Sequence, residues 1–119
     1  MALYPATLHG PAPLTVVALT SSPSVYAAAT PVTGVSASNV TIVKQIIVCN
    51  TGAAGTFSLY LGTSAAAANN ALFEGVALGA GETKIINTSL VLRGTDGQKL
   101  FARASATTVL LTLVGLEEY

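Results

Sequence analysis

Across 119 residues this chain carries only ten charged side chains, five basic and five acidic, within a sequence dominated by Ala, Thr, Leu and Val. A soluble domain ordinarily devotes about a quarter of its residues to Asp, Glu, Lys and Arg, and that charge keeps a monomer dispersed in water. At 8% charged, the chain either spans a membrane or has much of its surface covered by other protein. A spanning helix needs about 18 or more consecutive apolar residues, and the apolar runs here, such as residues 46–49 and 109–111, are far shorter. The composition therefore points to a soluble subunit covered by its neighbours.

The length suits one domain with one core. Net charge is zero: Lys44, Lys84, Arg93, Lys99 and Arg103 are opposed by Glu74, Glu82, Asp96, Glu117 and Glu118. That scatter is unlike the basic stripe that neutralises phosphates, so nucleic acid is not an expected partner. The single cysteine, Cys49, falls in an apolar run and reads as a small buried hydrophobe, with no internal disulfide possible. The N-terminal residues lack the cationic start and apolar stretch of a signal peptide. Synthesis and assembly in a reducing cytoplasm follow, and the glycosylation-type triplets at Asn39 and Asn87 then carry no meaning.

Residues 1–13 hold Pro5, Pro11, Pro13 and Gly10, which resist both helix and central strand. The reading is an extended N-terminal arm, residues 1–13, ahead of a β-domain over residues 14–119. Leu3, Tyr4 and Leu8 in that arm would be wasted in water, so they are expected either to dock along a neighbouring subunit or to pack on their own domain. Deleting the arm is expected to leave the β-domain folded and to abolish docking.

From residue 14 onward the signal is β. Short candidate strands fall at 14–19, 25–29, 40–50, 56–61, 72–78, 82–87, 90–92, 98–105 and 109–116, with turns such as Thr51–Gly55, 79–81 and 93–97 between them. Residues 40–50 are the strongest: Val40, Thr41, Ile42, Val43, Ile46, Ile47 and Val48 are β-branched and crowd a helix, and both alternation phases are apolar, so both faces are expected to be covered. In 56–61, Phe57, Leu59 and Leu61 face one way and Thr56, Ser58 and Tyr60 the other. The alanine-rich residues 64–70, closed by Asn69 and Asn70, are a helical turn or a loop. Strands at hairpin spacing make this an all-β chain, a single antiparallel β-sandwich of jelly-roll or Greek-key type with about eight short strands.

Chemistry is poorly served. His9, the only histidine, lies in the proline-rich arm, a bad place for a positioned general base. Glu74, Glu82 and Asp96 are the carboxylates to consider as an acid–base pair, yet all sit at or beside expected turns, where acidic residues serve solvation. One His and one Cys forty residues apart do not close a zinc site, and Asp96 alone is no calcium loop. Gly79-Ala80-Gly81 lacks the third glycine and following helix of a dinucleotide fingerprint, and reads as a hairpin turn. No catalytic residue, metal or cofactor is expected. Glu117, Glu118 and Tyr119 end the chain as a solvated edge or as an acidic contact for a basic patch on a partner.

The segments Thr41-Ile-Val-Lys-Gln-Ile-Ile-Val-Cys-Asn50, Ala71-Leu-Phe-Glu-Gly-Val76, Gly79-Ala-Gly-Glu-Thr83, Ser89-Leu-Val-Leu92, Leu100-Phe-Ala-Arg-Ala-Ser105 and Leu113-Val-Gly-Leu-Glu117 resemble small all-β virion structural proteins of tailed bacteriophages. The likeness covers roughly residues 40–117. It implies a non-enzymatic subunit of the virion, assembled in the bacterial host cytoplasm: a capsid decoration (cement) protein that stabilises the head lattice, or a tail or head-to-tail accessory protein. Its partners would be the major capsid protein or other virion subunits. A homo-oligomer is the default, and a trimer would suit threefold positions of an icosahedral shell. A receptor- or glycan-binding fibre head is the rival reading, with Tyr26, Tyr60, Asn69 and Asn70 as its candidate contacts. A small-ligand barrel is disfavoured because the apolar residues are the sizes that fill a core.

Overall fold

The computed structural model describes residues 3–27 and 40–118, with Leu3, Tyr4, Thr95 and Glu118 described in backbone only. Eight strands make up most of it: β1 Leu3–Pro13, β2 Ser24–Ala27, β3 Val40–Asn50, β4 Gly55–Gly62, β5 Ala71–Leu78, β6 Thr83–Arg93, β7 Lys99–Ala104 and β8 Val109–Glu118. They form two four-stranded antiparallel sheets, β1-β8-β3-β6 and β2-β7-β4-β5. First pairs with last, second with seventh, third with sixth and fourth with fifth, so the chain is one long antiparallel ribbon. Rolling that ribbon adds the β3–β8 and β4–β7 pairings. This strand order is the jelly roll, which settles the topology the strand pattern alone left open.

The core lies between the sheets. Val43, Ile46 and Val48 of β3 and Val109, Leu111 and Leu113 of β8 face Phe57, Leu59, Leu100, Ala102 and Ala104 of the other sheet, with Leu14, Leu78 and Leu92 closing the rim. Strand β3 keeps one face inward only because its register shifts at Lys44 against both neighbours, which brings Thr41 and Val43 into phase with Ile46, Val48 and Asn50. Opposite the shift, Gly115 packs so closely that a Cβ there would collide with the Ile42 carbonyl oxygen. A glycine is required by contact, not by φ.

The structure decides between expectations left open and corrects others; of docking on a neighbour or packing on their own domain, the described part of residues 1–13 does the second. Residues 3–13 are the edge strand of this domain's own sheet, paired along β8 from Leu3↔Glu118 to Pro13↔Leu110. The prolines that argued against a central strand are tolerated because an edge strand leaves alternate N–H groups unpaired. Gly10, at φ +71°, lets β1 pass the Leu111 carbonyl where any side chain would clash. Leu8 packs on this domain's core. Residues 14–18 are not a strand but a crossing between sheets, tied by Leu14 N–H to the Val109 carbonyl (2.9 Å) and by the Thr15 carbonyl, which accepts from Ala104 N–H (3.0 Å); a 3₁₀ turn follows at Leu19–Ser21. The separate strands expected at 82–87 and 90–92 are the single strand β6, because Thr88 and Ser89 continue the alternation. The alanine-rich stretch forms a 3₁₀ turn at Ala68–Asn70. Residues 28 and 29 of the expected second strand lie outside the described residues.

Candidate functional site

Three of the polar side chains form a cluster engaged with itself. On the outer face of β2-β7-β4-β5, Tyr60 is fully buried beside Phe101 and Ala66, beneath Leu19 and Ala71. Its hydroxyl donates to Glu74 Oε2 and accepts from Arg103 Nε at 3.2 Å. Arg103 also donates Nη2 to Glu74 Oε1 at 3.1 Å and Nη1 to the Val17 carbonyl at 3.3 Å. The Tyr60 hydroxyl first, and the Arg103 guanidinium after it, hold the Glu74 carboxyl below the usual carboxylate range. Glu74 stands within β5 at an irregularity where Gly75 takes φ +60° and donates its N–H to Ser58 Oγ (2.9 Å), not at the turn expected for it. Beside this network a groove of about 270 Å³ is lined by Val16, Val17, Thr56, Ser58, Glu74 and Arg103. Its one cation and its one carboxylate already satisfy each other.

The two ends of the sandwich are locked in the same manner. Asn50, fully buried, donates Nδ2 to the carbonyls of Ala53 (2.8 Å) and Gly79 (3.3 Å) and accepts from Gly52 N–H (3.0 Å) and Thr108 Oγ1 (3.1 Å). One side chain thereby joins the β3–β4, β5–β6 and β7–β8 turns. At the opposite end Tyr26 of β2 reaches across to the other sheet, donating to Glu117 Oε2 (2.7 Å) and lying 2.8 Å from Thr41 Oγ1. The tyrosine's one proton serves the carboxylate, so Thr41 is the donor in the second bond.

These networks decide what becomes of the residues singled out from sequence. Glu117 is bonded to Tyr26 within the domain. Leu3 and Tyr4 lie opposite Glu118 and Glu117 in the β1–β8 ladder, so the two ends of the chain that seemed independent contacts meet at one place. Their side chains, that of Glu118, and Tyr119 lie outside what is described. Of the residues considered for glycan contact, Tyr60 is buried, Tyr26 is bonded across the sheets, and Asn70 turns its amide inward to Ala67 N–H (2.8 Å) and the Ala65 carbonyl (3.0 Å). His9 sits on the inner face of β1, opposite Leu113, with Nε2 buried and without a partner; burial holds its pKa down against a hydrogen bond to the Val25 backbone. Cys49 faces the other way, half-buried between Thr83 and Leu110 on the outer face of its sheet, not in the core expected for it.

That outer face of β1-β8-β3-β6 is the surface sequence reasoning missed as a site. Ile42, Ile47 and Cys49 of β3 stand in line with Leu116, Thr112 and Leu110 of β8 and with Val91, Ile85 and Thr83 of β6. Ile85 is 59% and Val91 41% exposed, Thr83 is exposed as well, and the others are half-buried. Among the residues whose side chains are described, Lys44, bonded to Ser89 Oγ (3.0 Å), and Arg93 at the end of β6 are the charges on these three strands' outer positions. The signal was present in β3, whose two apolar phases implied cover on both faces. Among the described residues the domain itself covers one.

No protein-family model matches the chain, and no curated protein does. Among solved structures, the infectious bursal disease virus Gx strain structure aligns with 98% of this chain at 14% identity and a TM-score of 0.43. The chain spans 30% of that structure's own chain.

Proposed function

We propose that this jelly roll is a non-enzymatic structural subunit of a virion, acting as a capsid decoration protein that binds the assembled head lattice and stabilises it. The observation that carries the reading is the outer face of β1-β8-β3-β6: apolar rows at Ile42, Val91 and Leu116 and at Ile47 and Ile85, on either side of a polar band formed by Lys44–Ser89 and Gln45–Asn87, on a chain with ten charges in all. Exposed apolar patches of this kind mark interaction surfaces. Low charge suits the task, because burying ions at an interface roughly breaks even while apolar burial contributes about 25 cal/mol per Å². The polar residues reinforce it, since Tyr60, Glu74, Arg103 and Asn50 are spent on internal bonds. The jelly roll serves viral capsid, lectin and cupin domains alike, so the fold by itself selects none of these.

Such a subunit works by mass action: binding only the assembled lattice, it stabilises that lattice by its binding free energy at every site it fills. The contact surface we assign is the outer face around Ile47 and Ile85, with the β1–β8 end, where the backbone of Leu3, Tyr4 and Glu118 falls, beside it. The test is co-sedimentation of the purified protein with empty heads and with isolated tails. Binding to heads, lost on Ile47→Asp with the fold intact, supports the reading. Binding to tails alone moves the subunit to a tail or head-to-tail position, and binding to neither overturns it.

A further inference from the structure

Each sheet of an open sandwich has two edge strands, and an edge strand is a row of unpaired N–H and C=O groups that proteins ordinarily blunt. Three of the four edges here are blunted. Strand β1 carries Pro5, Pro11 and Pro13 and two register shifts, β2 has four residues, and β5 is broken by Gly75 at positive φ with irregular pairing to β4. Strand β6 is different. It runs for eleven residues, Thr-Lys-Ile-Ile-Asn-Thr-Ser-Leu-Val-Leu-Arg, with no proline and no glycine; one register shift against β3, between Asn87 and Leu90, leaves its alternation unbroken, and it ends its sheet.

The sequence of β6 also reads nearly the same in both directions. About Thr88, polar Asn87 mirrors polar Ser89, Ile86 mirrors Leu90, and Ile85 mirrors Val91. We infer that β6 pairs with β6 of a second copy of this chain, antiparallel about a two-fold axis through Thr88, joining two four-stranded sheets into one of eight strands. In that register the exposed Ile85 of one copy stands beside Val91 of the other, twice over, and Asn87 beside Ser89. On the inner face Ile86 meets Leu90, so the two cores continue into each other. Lys84 falls opposite Leu92 and Arg93 opposite Thr83, so no like charges are placed in register. A perpendicular two-fold keeps outer face with outer face, and the apolar surface described above doubles in extent. The pairing is isologous and closed, which limits assembly through this edge to a dimer. It replaces the threefold arrangement suggested by capsid symmetry alone, and it holds whichever particle the subunit serves.

The test is the mass of the purified full chain by sedimentation velocity. The unaltered protein is expected at twice the chain mass. Ile85→Lys combined with Val91→Lys, both at exposed positions, sets lysines opposite each other at two places and is expected to give a folded monomer, with foldedness checked by the urea transition. Ile85→Lys combined with Val91→Glu makes the same number of changes but sets opposite charges in register, and is expected to restore the dimer in low salt. A monomeric unaltered protein overturns the inference. So does a dimer that survives the double lysine variant, or a lysine–glutamate variant that stays monomeric like the double lysine one.

Discussion

Replacing Asn50 with alanine is the sharpest test of how the turns are held. The side chain is fully buried and makes four hydrogen bonds, three between 2.8 and 3.1 Å and one at 3.3 Å. A hydrogen bond of this kind contributes about 1 kcal/mol net, which sets a ceiling of about 4 kcal/mol by the same count. Ala53 and Gly79 are exposed turn residues whose carbonyls water can reach once the amide is gone. That recovery lowers the expected loss to about 2–3 kcal/mol, or roughly 10 °C in Tm for a domain of this length. Urea denaturation followed by circular dichroism measures it, with the slope expected to stay unchanged because the denatured state is untouched. Asn50→Asp is the companion: the donor that served two carbonyls becomes an acceptor facing them. It is expected to cost at least as much at neutral pH and to approach the unaltered protein below the carboxyl pKa, where one O–H donor returns. A loss under about 0.5 kcal/mol for Asn50→Ala, the size of an ordinary surface change, would refute the claim that this residue ties the three turns.

Gly115→Ala forces a methyl into the Ile42 carbonyl and is expected to destabilise by about 1–3 kcal/mol through displaced backbone, whereas the same change at Gly79, where a Cβ meets only Glu82 at ordinary contact distance, is expected to be near neutral; thermal melts compare the two. Removing residues 1–13 strips β1 from β8 and Leu8 from the core, so the truncated chain is expected to melt lower and to bind an exposed-hydrophobe dye, contrary to the behaviour of a detachable arm. Acid is expected to weaken the fold in two stages. His9 has its folded pKa held below the unfolded value near 6.5, so the unfolded chain binds the proton first and stability falls as pH drops below that value. Glu74, also depressed below its usual 4.5, adds a further loss as pH falls through the carboxylate range. His9→Leu is expected to abolish the first stage and leave the second, as read from urea midpoints across pH.

The strands were legible because β-branched runs broken by Gly and Asn leave little alternative, and β3 emerged with the bounds its composition implied. The jelly-roll order was not, since pairing β1 with β8 and β3 with both β6 and β8 depends on contacts distant in sequence. The two readings of residues 1–13, docking on a neighbour or packing on their own domain, stayed open for a local reason: three prolines look alike in a free segment and in an edge strand, and only the partner strand distinguishes them. The site was half legible. Low charge and the doubly apolar β3 announced a covered surface, but which residues formed it required the register that sets Ile47 beside Ile85 and Ile42 beside Val91. Tyr26, Glu74 and Glu117 read as solvated or contact residues until the fold brought each to its partner.

The account stands or falls on whether this chain is a component of a particle. Quantitative mass spectrometry of gradient-purified virions, compared with the free protein fraction of the same lysate, tests that directly. The account predicts the chain in the virion band at a fixed ratio to the major capsid protein, released together with loss of head stability. A chain found wholly in the free fraction, with virions complete and stable without it, would contradict it.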